Sequence, residues 1–284
     1  MDQAQDSTLD RARDMSIHTV GNEPLRLGAV CYLNARPLTW ALDRSPRRWQ
    51  TRYDLPSVCS VLLHTGEISL GLVPSIDYLQ APDYRVVPGV GIGSRGPIAS
   101  VALYTRVPIG DVTRIALDTS SRTSVALVRV LCHHRFRIAP TFVPQGPDLA
   151  SMTRDADAAL LIGDPALEVR HEALGLEKVD LGAEWTAMTG LPFVYAAWTG
   201  KVGAITDTDV RSLQDAQREG VLSTDAIAAE YGRGNPDVTT RAAAYLRDNV
   251  KYGLGADETK GLQTFLDYAA DLNVAPIKRR LEFF

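Results

Sequence analysis

"GVGIGSRGPIASVALYT" (residues 89–105) is the stretch on which the fold reading turns. Gly89, Gly91, Gly93 and Gly96 are expected to bar a regular element until about Pro97, since glycine loses the most backbone freedom on being fixed. An apolar strand from Ile98 to Thr105 then carries the chain out of whatever sheet precedes it. Gly91, Gly93 and Gly96 satisfy the bare G-x-G-x-x-G spacing, but they precede a strand instead of opening a helix. A dinucleotide site is therefore discarded.

Upstream, "LRLGAV" (25–30) reads as a buried strand, and Pro37 is placed to open a helix. "SVCSVLLHTGEI" gives a helix stopped by Gly66, and "ISLGLVPS" a second buried strand ended by Pro74. This strand–helix–strand order is the grammar of a parallel sheet. Downstream a second set follows: a strand at 114–117, a helix at about 124–135, the strand "DAALLIG" (157–163) and a helix opened by Pro165. "GLPFVYAAWTG" (190–200) is another long strand, bounded by glycines. Beyond 203 the pattern is helical, with helices at about 207–218, 223–231, 237–250 and 257–271.

The expected architecture is α/β with two lobes and two crossover strands. Lobe I takes 25–106 and 200–284, with the C-terminal helices packing on it, and lobe II takes 107–199. A ligand cleft then lies between the lobes at the carboxyl ends of the strands. Residues 1–24 mix acids, arginines and polar residues without a basic segment before an apolar core, and read as a flexible tail that is not a secretory signal.

Composition narrows the function classes. Hydrophobic residues make up 45%, charged residues 23%, and the net charge is -4, with no basic block to follow a phosphate backbone. Neither nucleic acid nor a membrane is expected as a partner, because no stretch reaches the ~18 apolar residues of a span. Cys31, Cys59 and Cys132 are odd in number, form no C-x-x-C pair and sit among apolar neighbours, so they read as core residues of a cytosolic protein.

The cleft-facing candidates are Asn34, Ser75, 94–100, 118–124, Gly163 and Asp164. Thr119, Ser120, Ser121, Thr123 and Ser124 surround Arg122 at the mouth of a helix. The first N–H groups of a helix lack internal partners and carry partial positive charge, so this mouth suits a carboxylate or phosphate. Capping accounts for one or two of those hydroxyls. Arg122 is either a bidentate partner for a carboxylate or an exposed arginine. Asp164 is either a helix cap or a catalytic or ligand-orienting group, Asn34 a turn residue or a ligand contact, and Ser75 a cap or a cleft residue. No metal-ligand spacing, Walker A loop or G-x-S-x-G is present.

Four motifs taken together, "YLNARPL" (32–38), "GPIASVALYT" (96–105), "SSRTSVAL" (120–127) and "LIGDPAL…DLGAEWTAMTGLPFVYAAW" (161–198), resemble the chorismate dehydratase family of the futalosine route to menaquinone. The resemblance covers about 25–275 and implies a periplasmic-binding-protein type II fold serving as a cytosolic enzyme without cofactor or metal. It implies loss of water from chorismate to give 3-[(1-carboxyvinyl)oxy]benzoate. By resemblance Asn34, Ser100 and Asp164 form the catalytic set. Ser121, Arg122, Thr123, Ser124, Gly163, Ser75 and Gly96 surround the substrate. The expected assembly is a monomer or weak homodimer. Two alternatives are a sister enzyme of the same route that releases a dihydroxynaphthoate and a solute-binding protein for a small carboxylate. "SRTS" and "GLPF" favour the dehydratase.

Overall fold

The computed structural model describes residues 24–45 and 48–284. The expected N-terminal tail lies outside the described residues, except for Pro24 at its end. The chain begins one sheet with β1 (Leu25–Val30), β2 (Trp49–Asp54), β3 (Leu70–Pro74) and β4 (Tyr84–Ser94). It leaves to build a second with β5 (Val101–Thr105), β6 (Arg114–Asp118), β7 (Thr141–Gln145), β8 (Ala158–Ile162) and β9 (Glu177–Asp180). It returns with β10 (Phe193–Lys201) and β11 (Lys251–Leu254). The six-stranded sheet has the order β11-β4-β10-β3-β1-β2, and the five-stranded sheet the order β7-β6-β8-β5-β9.

Local chemistry explains most boundaries. Pro37 stands in the first turn of helix Arg36–Asp43, where its missing N–H costs nothing, and Gly66 ends helix Pro56–Thr65 in the left-handed conformation, φ 79°. β1 pairs in parallel with both β2 and β3. The C-terminal region folds back on the first sheet. Helix Asp207–Leu222 lies so close to helix Arg36–Asp43 that a Cβ on Gly220 would stand 1.8 Å from the Pro37 carbonyl oxygen.

The structure corrects the reading of the glycine run. Gly89, Gly91 and Gly93 lie within β4, which is continuous to Ser94. A Cβ at Gly93 would stand 2.7 Å from the Phe193 carbonyl oxygen, and one at Gly91 3.3 Å from that of Ala196. Gly91 and Gly93 let the β10 backbone, bulged between Val194 and Ala196, pass close to β4 instead of interrupting the strand. The following strand accordingly starts at Val101, not Ile98. Cys31 is a second correction. β1 ends at Val30 and Cys31 is exposed, whereas Cys59 and Cys132 are buried.

Asp180 ties the two crossings together. Its carboxylate accepts N–H bonds from Ile98 (3.1 Å) and Ala99 (2.7 Å) in the first crossing. It also accepts from Gly182 and Ala183, both at 3.0 Å, as the N-cap of helix Leu181–Thr189 in the second. Ala99 is held in the left-handed region, φ 67°, and Lys178 Nζ donates to its carbonyl oxygen (2.7 Å). Asp180→Ala removes a cap and two charge-assisted bonds at once. It is expected to cost roughly 2–3 kcal/mol, measured as a lowered calorimetric Tm. A Tm unchanged from wild type would contradict this role. Among the described residues no helix is long and apolar enough to cross a membrane.

Candidate active site

Between the carboxyl ends of β1, β3, β6 and β8 lies a narrow cavity, part of it open to solvent. Its polar lining is Tyr32, Asn34, Ser121, Thr123, Ser124 and Tyr195, with Gly163 and the apolar Val30, Pro56, Pro74, Ile92, Val101, Ile162 and Ala196. None of these side chains is charged at neutral pH.

Residues 118–124 are built as a docked loop at the mouth of helix Thr123–Leu131. Asp118, fully buried at the end of β6, accepts from Ser120 N–H (2.9 Å) and Ser120 Oγ (2.7 Å). Burial raises the Asp118 carboxyl above its ordinary value. Ser121 Oγ accepts from Ser124 N–H (3.2 Å) and so supplies the local cap. Thr123 Oγ1 accepts from Ile76 N–H (3.2 Å) across the cleft, and Ser57 N–H donates to the Ser120 carbonyl oxygen (3.1 Å). Of the five hydroxyls, Ser120, Ser121 and Thr123 thus hold the loop together, Thr119 faces solvent, and Ser124 opens into the cavity.

Arg122 stands outside the lining. Its Nε pairs with Asp77 Oδ1 at 2.6 Å, so this guanidinium is already engaged by a protein carboxylate. Asp77 is buried (2% exposed) and its Oδ2 also accepts from Ser60 Oγ. Burial pushes the Asp77 carboxyl up to about 6, against the opposing pull of Arg122 and Ser60. A carboxyl with a raised folded-state pKa binds its proton more tightly when folded, so its ionisation subtracts stability as pH rises from about 4 to about 6. The wild type is therefore expected to lose roughly 2–3 kcal/mol relative to Asp77→Asn between pH 4 and pH 7. Denaturant titrations of both proteins at pH 4.5, 5.5 and 7 measure this, and parallel pH profiles would refute it.

The remaining sequence candidates occupy distinct places. Asn34 reaches the cavity from the short turn Leu33–Ala35, and its buried Oδ1 has no hydrogen-bond partner. Asp164, behind the lining, accepts from the Leu33 N–H at 2.9 Å. It caps no turn of its own helix, Gly163–Glu168; it caps the Leu33–Ala35 turn in the opposite lobe. Burial raises its carboxyl, and the Leu33 bond draws it back down. Gly163 lines the cavity with φ 68° and donates its N–H to the Ser100 carbonyl oxygen (2.8 Å). Ser75 Oγ donates to the Val194 carbonyl oxygen (2.7 Å) and caps nothing, one layer behind the lining. Gly96, φ 86°, donates to Thr186 Oγ1 (2.9 Å) in the hinge region. Ser100 is fully buried against Tyr245, its Oγ 2.7 Å from the phenol oxygen.

Sequence reasoning missed Tyr32, Tyr195, Tyr245, Asp77 and Asp180. An aspartate just ahead of an apolar helix is an N-cap signal, which marks Asp180. Tyrosines in apolar stripes carry no comparable mark. Tyr32 is buried with its hydroxyl 3.3 Å from Ser120 Oγ, and Tyr195 pairs with Ser94 Oγ at 3.1 Å.

Two α/β lobes joined by two crossings around a cleft define the periplasmic-binding-protein fold. The structure matches protein AF1704 from Archaeoglobus fulgidus with a TM-score of 0.70 at 16% identity, covering 88% of this chain and 98% of that one. It also matches the periplasmic aliphatic sulphonate-binding protein SsuA from Escherichia coli with a TM-score of 0.63 at 17% identity, over 91% and 95% of the two chains. Residues 25–271 match the family model described as menaquinone biosynthesis, and the chain belongs to that family. It is 29% identical over 271 residues to the chorismate dehydratase of Thermus thermophilus, an alignment that spans 89% of this chain and 98% of that protein.

Proposed function

We propose that this chain removes water from chorismate, giving 3-[(1-carboxyvinyl)oxy]benzoate, as a carbon–oxygen lyase. The observation that carries the reading is the lining itself: hydroxyls, a helix mouth and an unpartnered amide oxygen, with no charged side chain. The substrate bears two carboxylates, and a cleft free of protein carboxylates does not repel them. The mouth of helix Thr123–Leu131, with Ser121, Thr123 and Ser124, offers donors to one carboxylate. Asn34 Oδ1 accepts a hydrogen bond from the ring hydroxyl.

Dehydration takes a ring proton and the neighbouring hydroxyl and leaves an aromatic ring, so the product's aromaticity supplies much of the driving force. The protein's share is to position the diene and surround it with fixed dipoles. Asp164 is spent on Leu33 and Asp118 on Ser120, and neither lines the cavity. A carboxylate of the substrate is accordingly the base in this reading. The cross-cleft bonds of Thr123 and Asp164 join the two walls of the cleft, and lobe closure through them excludes water.

The test is incubation of the pure protein with chorismate, following the new aromatic absorbance and the mass of the product. Conversion at a catalytic rate is expected. Tight binding without product would overturn the reading in favour of a binding protein.

A further inference from the structure

The cavity uses one side of the hydroxyl-rich helix mouth, and the other side lines a separate groove. Arg122, Val125, Ala126 and Arg129 stand at i, i+3, i+4 and i+7, so helix Thr123–Leu131 and its N-cap turn them to one face. That face lines an open groove of about 480 Å³, a size suited to a small molecule. Opposite it stand Gln80, at the end of the turn Ser75–Gln80, and Asn273, beyond helix Ala256–Asp271. Ser121 lines both the groove and the cavity, so the two adjoin at that residue.

The polar groups of the groove suit an anion. Two arginines seven residues apart are separated by about 10 Å along the helix axis, and no carboxylate lines the groove. Arg122 keeps its Nε on Asp77, so its charge is offset from behind. Arg129 forms no ion pair among the described residues, and its guanidinium lies 4.3 Å over the Phe142 ring. A guanidinium stacked on a ring keeps its N–H edge for a planar carboxylate. Asn273, in the left-handed region at φ 57°, adds a side-chain amide.

We propose that this groove is an outer docking site for a small organic dicarboxylate, with one carboxylate on Arg129 and the other toward Arg122 and Asn273. A compact anion meets one end of this two-turn face, whereas two carboxylates on one ring reach toward both. The inference goes beyond the cavity but rests on the dehydratase reading for its natural ligand: the substrate is such a dicarboxylate, and it docks here before passing Ser121.

Titration calorimetry of the full chain with benzene-1,3-dicarboxylate, benzoate and inorganic phosphate tests the site without turnover. The dicarboxylate is expected to bind at least roughly fivefold tighter than either of the others, and Arg129→Gln to weaken it by roughly 5- to 10-fold. Asn273→Gly keeps the left-handed backbone and deletes only the amide, for a loss of about two- to fivefold. Unchanged dicarboxylate binding in Arg129→Gln, or in Asn273→Gly should the first variant not fold, overturns the site. Phosphate binding as tight as the dicarboxylate overturns the ligand class. In turnover, Arg129→Gln is expected to lower kcat/KM on chorismate by roughly fivefold with kcat unchanged. The gap should close in about 0.5 M NaCl, where the Debye length falls to about 4 Å. Equal kcat/KM in the two proteins at low salt overturns docking ahead of the cavity. A wild type that binds the dicarboxylate but does not turn over chorismate overturns the dehydratase reading and leaves the outer site standing.

Discussion

Asn34→Ala is expected to lower kcat/KM on chorismate by about 10²–10³-fold while leaving the Tm within about 2 °C of wild type. The two halves of this result have one cause. Asn34 Oδ1 is buried without a hydrogen-bond partner, so truncating it removes no bond that this oxygen makes to the fold. A buried acceptor left empty costs about 1–3 kcal/mol, and its deletion even gives back part of that. In the proposed reading the ring hydroxyl of the substrate completes it. Paired measurement of thermal melting and steady-state kinetics checks both halves. A large drop in Tm with normal kinetics would make Asn34 a structural turn residue, the other reading that its sequence context allows.

Gly163→Ala is expected to do the reverse and damage fold and function together. Gly163 sits at φ 68°, and a Cβ there would stand 2.6 Å from the Tyr32 ring, with two more ring atoms at 2.7 and 2.8 Å. The ring is buried against Ser120 from the other side of the cleft, so it has no room to give. Backbone strain and overpacking together come to roughly 3–5 kcal/mol. Relief requires Tyr32 and β8 to part, which opens the cavity wall that the proposed substrate would lie against. Loss of at least about tenfold in kcat/KM accompanies the lowered Tm. Gly175→Ala serves as the control, since Gly175 has φ 65° but nothing within 4 Å of its Cβ position. That variant carries the backbone strain alone, about 1–2 kcal/mol, with normal turnover. Equal effects in the two variants would show that contact with Tyr32 contributes nothing.

Four of the strands that the sequence reading overlooked share one property. β2, β7, β9 and β11 are the four edges of the two sheets. An edge strand has one neighbour and stays partly in water, so "WQTRYD", "TFVPQ", "EKVD" and "KYGL" lack the apolar run that marks β1, β3 and β8. β4 went unrecognised for another reason. Gly91 and Gly93 are required by the close approach of β10, a partner about 100 residues away that local pattern does not reveal.

Local sequence alone determined the interior strands, the helix boundaries at Pro37 and Gly66, the two-lobe order and the hydroxyl-rich helix mouth, because these arise from hydrophobic period and turn chemistry within a few residues. The tertiary structure decided what each polar group is for. Asp164 caps a turn in the opposite lobe, Arg122 is taken by Asp77, and Tyr245 joins Ser100 from a distant π-helical turn. A hydroxyl or carboxylate satisfies its hydrogen bonds with whatever the fold brings within about 3 Å, and that neighbour is set by chain crossings rather than by adjacent residues.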